Sequence, residues 1–167
     1  DVCLSALAGA SKGAFYVHFE SKQALLLALL DDETRRFDGQ LASLEASASS
    51  YADRVRRFAR LMLSEADDPA NVQLRTDLWA AALSEPAIRE RFVAEIDRRR
   101  QRLREWIEAG IASGELAPIP SNAFASIILA LADGLILHGA IDPSGFRWTN
   151  IRKALDAVLV GLTSQPE

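Results

Sequence analysis

The segment 8–22, AGASKGAFYVHFESK, carries the side chains best suited to contact an anionic surface. Lys12 and Lys22 each supply a positive charge, and Tyr16 and His18 can donate hydrogen bonds. Proteins use donors of these kinds to hold the phosphate oxygens of nucleic acids. The segment therefore predicts phosphate contacts, although a plain surface histidine is an alternative for His18.

Two short helices joined by a glycine turn explain the spacing of this segment. Residues 2–8 are predicted to form a short helical piece that Gly9 closes, and Ser11 can cap a second one. Gly13 and Ala14 are small, so the backbone of the second helix can approach DNA closely. This is the helix-turn-helix pattern, whose second helix fits the major groove. The same spacing also occurs in proteins that never bind DNA.

The longer run 8–29 resembles the signature of the TetR repressor family. It has a glycine turn, a Ser-Lys-Gly opening, an aromatic-Tyr-x-His-Phe run and a Ser-Lys opening to the next helix. The resemblance implies that Lys12, Gly13 and Ala14 face bases, and that phosphates are contacted by Tyr16, His18 and Lys22. It also implies a further helix before residue 1, and the lack of an initiator Met suggests that N-terminal residues have been lost. Ala10 and Leu7 depart from the family's commoner residues.

The rest of the chain shows helical spacing of apolar residues, interrupted by Ser, Pro and Gly. Together with the two short helices, this predicts eight helices and no sheet, an all-α protein. The six predicted further helices start at Ser21, Tyr51, Val72, Pro86 and Asn122 and near residue 147. The resemblance implies two domains: a DNA-binding head with its linking helix over 1–45, and a body for effector binding and dimerisation over 46–167.

Composition excludes several classes of function for this chain. The 167 residues carry a net charge of −4, which disfavours a protein that coats nucleic acid indiscriminately. Cys3 is the only cysteine, so an intrachain disulfide is excluded and a reducing cytoplasm is expected. The apolar run Ala123–Ile136 is interrupted by Asp133 and Gly134 and is short for a membrane span, so no membrane partner is predicted.

The segment Asn122–Ala140 is apolar nearly all round, so a helix there must be covered on several sides. A second copy of the chain is the expected cover, and the resemblance implies pairing of the last two long helices. The predicted interface consists of Phe124, Ile127, Ile128, Leu131, Leu135, Leu155, Leu159 and Leu162.

An apolar cavity between the body helices is the predicted effector site, and it favours a small hydrophobic or amphipathic effector. Its candidate lining residues are Phe58, Met62, Arg75, Trp79, Leu103, Trp106 and Asp133. Each apolar member could equally serve core packing alone. The charged members are candidates for partial burial because they interrupt apolar faces.

No arrangement of a nucleophile and a base can be read from the sequence, so an enzyme is not expected, nor is a cofactor. His138 and Asp142 lie one helical turn apart, but two ligands do not make a metal site, and a core histidine is the expected role of His138. The arginine run 98–104 is expected to be a solvated face.

These patterns predict a ligand-responsive regulator, with repression favoured by the resemblance. Twofold symmetry would present two recognition helices to successive major grooves, roughly 34–36 Å apart, on a near-palindromic operator. The alternative is a helical ligand-binding or interaction module without DNA-binding activity.

Overall fold

A computed structural model describes residues 19–161, which contain α-helices, one 3₁₀ turn and no β-strand. The elements are α1 (Lys22–Ser47), α2 (Tyr51–Ser64), the 3₁₀ turn Glu65–Asp67, α3 (Pro69–Ser84), α4 (Pro86–Ala112), α5 (Ser121–Ile141) and α6 (Trp148–Val160). The six helices predicted after Ser21 are all present, and the all-α class is confirmed. The two predicted helices of the head and residue Leu162 lie outside the described residues.

Side-chain caps explain where several helices begin. Ser21 Oγ accepts a hydrogen bond from the amide of Ala24 at 3.0 Å, so α1 starts where the sequence predicted. α3 starts at Pro69, three residues before the predicted Val72. The reason is that Asp68 Oδ1 caps the amide of Ala70 at 2.9 Å, while a proline costs no hydrogen bond in a first turn.

The link between α4 and α5 depends on one glycine. Gly114 has φ +76°, a left-handed conformation that side chains disfavour, and it follows the last turn of α4. The amides of Glu115 and Leu116 both return to the carbonyl of Gly110, at 2.9 and 3.0 Å. The chain therefore reverses within a few residues and lets α5 pack against α4.

Two apolar clusters hold the helices together. In the larger one, Phe58 of α2 lies edge-on between Phe37 of α1 and Trp106 of α4, with ring centroids 5.9 and 6.0 Å apart. The smaller one joins α1, α3 and α4 through Leu30, Leu78 and other buried side chains. Because α1 contributes to both clusters, it is tied to the body along most of its length.

α5 is buried on one side only. Ala125, Ile128 and Ala132 are buried, whereas Ile127 and Leu131 are 58% and 42% exposed. α5 is also long and apolar enough to cross a membrane, with a mean hydropathy of 1.9, a test that core helices of soluble proteins pass as well.

Two expectations about polar residues were wrong. His138 is exposed rather than a core residue; its ring packs edge-on against Phe146 at 6.4 Å. Arg99 is only 7% exposed rather than part of a solvated face. It lies one helical turn from both Glu95 and Leu103, so it shares their buried face of α4.

Candidate functional site

Three charged residues from three helices meet between the two apolar clusters. Arg75 of α3 donates from Nη1 to Glu33 Oε1 of α1 at 2.6 Å and from Nη2 to Asp133 Oδ1 of α5 at 2.5 Å. The side chains of Arg75 and Glu33 are 7% and 6% exposed, and that of Asp133 is 13% exposed. Buried charges are costly unless they are paired, so this ion triad fixes the relative positions of α1, α3 and α5.

A second buried pair lies beside the triad on α4. Arg99 Nε donates to Glu95 Oε1 at 2.8 Å, and Glu95 also accepts a hydrogen bond from Arg98. The Arg99 guanidinium stands 4.0 Å from the centre of the Phe37 ring, a cation–π arrangement. Its Nη2 lies 3.9 Å from Glu33 Oε1, so the pair and the triad form one electrostatic cluster.

These groups line an interior cavity of about 20 Å³, which is room for one water molecule. Three carboxylates and two guanidiniums face it, so the charge of its lining is −1. The rest of the wall is apolar and is formed by Leu30, Met62, Phe92, Ile96 and Leu129. The cavity thus joins charged groups to an apolar wall, the usual make-up of a small-molecule site.

Two members of the cluster, Arg75 and Glu95, have pKa values shifted towards their charged forms. Burial would lower the pKa of Arg75, but Asp133 and Glu33 outweigh it, and the pKa is raised above its ordinary value. Burial would raise the pKa of Glu95, but Arg99 and Arg98 outweigh it, and the pKa is lowered from its ordinary 4.5.

The lowered pKa of Glu95 predicts a pH-dependent contribution to stability. A carboxyl with a depressed folded pKa stabilises the fold above its unfolded pKa, and the contribution is lost as pH falls through the folded pKa. Glu95→Gln should therefore destabilise the protein at pH 7 by about 1.5–3 kcal/mol, the range for hydrogen bonds to charged groups. The deficit should shrink as pH falls below 4.5.

Urea unfolding of wild type and variant across pH measures this effect. Glu90→Gln, on an exposed position of the same helix, is the matched control and should show little deficit at any pH. A Glu95→Gln deficit that stays constant down to acid pH would mean that lost packing, not lost charge, is responsible.

The predicted effector residues divide into three groups. Met62, Arg75 and Asp133 line the interior cavity. Trp79 is 38% exposed and packs edge-on against Phe92, a lining residue, at 5.3 Å. The others belong to the larger apolar cluster and do not line the cavity: Phe58, Leu103 and Trp106.

Sequence reasoning missed three charged residues of the cavity, although a signal was present. Glu33 falls at helical spacing between the buried Leu30 and Phe37. Glu95 and Arg99 likewise fall between Phe92 and Leu103 on the buried face of α4. Charged residues at such positions can be found from periodicity, whereas their partners depend on how the helices pack.

Of the predicted DNA contacts, only Lys22 lies within the described residues. It is exposed and is the first residue of α1. A cation at a helix N-terminus opposes the helix dipole, so helix stability does not explain it. Glu33 follows eleven residues later on the same helix, about 16 Å along its axis. α1 therefore joins the edge of the predicted head directly to the buried ion triad.

The residues of the predicted dimer interface differ in their exposure. Ile127 and Leu131 are exposed, while Phe124, Leu135 and Leu155 are partly buried at the edge of the core. Ile128 and Leu159 are buried within the chain itself, at 4% and 3% exposure. Further apolar residues are exposed on α5 and α6: Ile141, Val158 and Val160.

Two family descriptions match the sequence. Residues 51–164 match the C-terminal domain of BetI-type transcriptional repressors, and residues 4–29 match the bacterial regulatory proteins of the tetR family. No curated protein sequence matches the chain.

Several solved structures share the fold. A transcriptional regulator from Saccharomonospora viridis, in complex with choline, is 24% identical with a TM-score of 0.80; the match covers 98% of this chain and 85% of that one. A TetR regulator from Chloroflexus aurantiacus is 25% identical, with a TM-score of 0.75 and coverages of 98% and 84%. The regulator FadR from Bacillus subtilis, in complex with stearoyl-CoA, is 16% identical, with a TM-score of 0.71 and coverages of 94% and 84%.

Proposed function

Because this chain belongs to the TetR family of transcriptional regulators, we propose that it is a ligand-responsive repressor. In this proposal a homodimer binds a near-palindromic operator and releases it when a small effector binds to the body. The observation that carries the proposal is the buried ion triad, because it ties the helix next to the DNA-binding head to the body.

We assign residues 1–45 to the head and its linking helix, and residues 46–167 to the body. The matches at 4–29 and 51–164 support this division. The proposed DNA contacts are those of Lys12, Gly13, Ala14, Tyr16, His18 and Lys22. A cytoplasmic location follows from this role.

Lys22 is proposed to contact a phosphate rather than a base. Lys22→Ala in the full-length gene product should weaken binding to all DNA sequences alike. It should also reduce the slope of log K against log salt by about 1, because one phosphate contact is lost. Fluorescence anisotropy over a salt series measures both effects.

Lys153→Ala, an exposed lysine on α6, is the matched control and should leave affinity and slope unchanged. A change of base preference at a single operator position in Lys22→Ala would contradict the phosphate assignment.

We propose that α1 transmits effector binding in the body to the DNA-binding head. The effector acts by preferring one arrangement of the two heads, and it shifts the DNA-competent population only as far as its differential affinity allows. A ligand that disturbs Glu33 or Arg75 changes how α1 is held against the body. The choline and stearoyl-CoA complexes of similar structures support a small-molecule role for this kind of body.

Selection of binding sequences from a random DNA pool tests the proposal. A twofold-symmetric consensus supports a dimeric DNA reader, and the selected operator then serves to screen effectors by release. No enrichment by a folded dimer would overturn the proposal and favour a helical ligand-binding module. Equal operator binding with and without a saturating effector would disprove the proposed coupling through α1.

A further inference from the structure

The interior cavity cannot hold an effector by itself. About 20 Å³ accommodates one water molecule, whereas small-molecule sites have volumes of about 300–1,000 Å³. A larger space of about 390 Å³ lies between α1 and α4 and opens to solvent. Leu41 and Ala42 of α1 provide apolar surface in this α1–α4 groove.

The groove and the cavity share a wall. Glu95 and Arg99 line both spaces, so their ion pair separates the groove from the triad inside. Movement of these two side chains would join the two spaces. We propose that the effector site of the proposed function, on which this inference rests, extends from the interior cavity into the α1–α4 groove. Its occupant is an organic cation that carries an apolar chain.

The charge of the lining selects the cation. Six carboxylates and four guanidiniums line the two spaces together, so the net charge is −2. An anion would add to this excess, whereas a single positive charge would reduce it.

The rim of the groove can open at little cost. Arg98 of α4 lies 3.5 Å from Asp38 of α1, and Arg102 lies 3.2 Å from Glu45. These side chains are one third to one half exposed, and such pairs contribute at most about 1 kcal/mol each. An occupant that parts them separates α1 from α4 along the linking helix, which couples occupancy to the head.

Calorimetric titration with hexyltrimethylammonium, hexanoate and hexanol tests the site in the full-length protein. These probes share an apolar chain and differ in charge. We expect the cation to bind at least tenfold more tightly than the other two. Equal or tighter binding of hexanoate, or no binding of the cation at millimolar concentration, would overturn the cation assignment.

Ala42→Trp tests the location, because the indole would fill the groove from the exposed surface of α1. It should weaken binding of the cation at least tenfold. Ala46→Trp, one turn further along and outside the groove, is the matched control and should have no such effect. Gln101→Trp approaches from the α4 side and serves as the second variant if Ala42→Trp misfolds.

Unchanged binding of the cation in folded Ala42→Trp and Gln101→Trp would overturn the groove as the site. Operator binding distinguishes this from failure of the proposed function. If the protein binds its operator, and an effector releases wild type and both variants equally well, the proposed function stands and the groove is not the effector site. If the protein binds the cation in the groove but selects no operator, the proposed site stands and the proposed function fails.

Discussion

Arg75→Ala is expected to lower the free energy of unfolding by about 3–5 kcal/mol, the range for breaking a buried ion pair. The substitution leaves Glu33, which is buried, and Asp133, which is partly buried, near each other without the guanidinium that both contact. Their charges then repel and lack the hydrogen bonds that compensate for lost water. Urea unfolding followed by circular dichroism measures the loss.

Arg60→Ala is the matched control. Arg60 holds Asp156 through two hydrogen bonds of 2.8 Å, yet the two side chains are 54% and 30% exposed. Exposed pairs contribute at most about 1 kcal/mol, so this variant should lose far less. Similar losses in the two variants would show that burial does not decide the strength of the triad.

A triple variant separates charge from packing. Glu33→Met, Arg75→Met and Asp133→Leu together remove the charges and leave apolar side chains of similar size. Replacement of a whole buried ion cluster by apolar side chains is often neutral for stability, so most of the loss in Arg75→Ala should be regained. If the triple variant responded less to effector than wild type, the triad would have a role in coupling beyond stability.

Local patterns were sufficient to predict the six helices that the structure describes. Ser21 caps α1 as expected, because the cap depends only on residues within one turn. Pro86 opens α4 for the same kind of local reason. The start of α3 was predicted too late, because the apolar spacing begins inside the helix while its cap, Asp68, is polar.

The site could be predicted only in part, because its geometry is tertiary. Arg75 and Asp133 stood out as charges that interrupt apolar faces, and both line the cavity. Glu33 had the same signal, but its partner is 42 residues away, and no spacing rule pairs them. The α1–α4 groove arises from the distance between two helices, which periodicity along one chain does not specify.

The attachment of α1 to the body combines strong and weak contacts. Phe37 and the Glu33–Arg75 pair are buried and hold its middle. More exposed pairs add weaker contacts to α4, such as Asp31 with Arg91 at 2.7 Å and Glu45 with Arg102 at 3.2 Å. Buried leucines also hold α1 on both sides of its middle, Leu26 and Leu30 in the smaller cluster and Leu44 in the larger one. Because α1 is held along most of its length, a displacement within the body would move α1 as a unit, together with Lys22 at its end.

Leu131→Asp is expected to convert the proposed homodimer to monomers. Ile127, Leu131 and Ile141 recur at helical spacing on α5 and are exposed in the single chain. A contiguous apolar surface of this kind marks an interaction site, and two copies of α5 and α6 are proposed to cover each other. In a symmetric pair the substitution buries a carboxylate in each subunit without a partner, which costs several kcal/mol per ion.

The measurement is sedimentation equilibrium over a range of protein concentrations, where the dimer dissociation constant should rise at least a thousandfold. Leu83→Asp, on α3 and 74% exposed, is the matched control and should leave the dimer intact. Operator affinity should fall when the dimer is lost, because a monomer presents only one recognition helix to a two-part site. A Leu131→Asp protein that dimerises as tightly as wild type would place the interface on another surface, and the exposed face of α5 would then need a different partner.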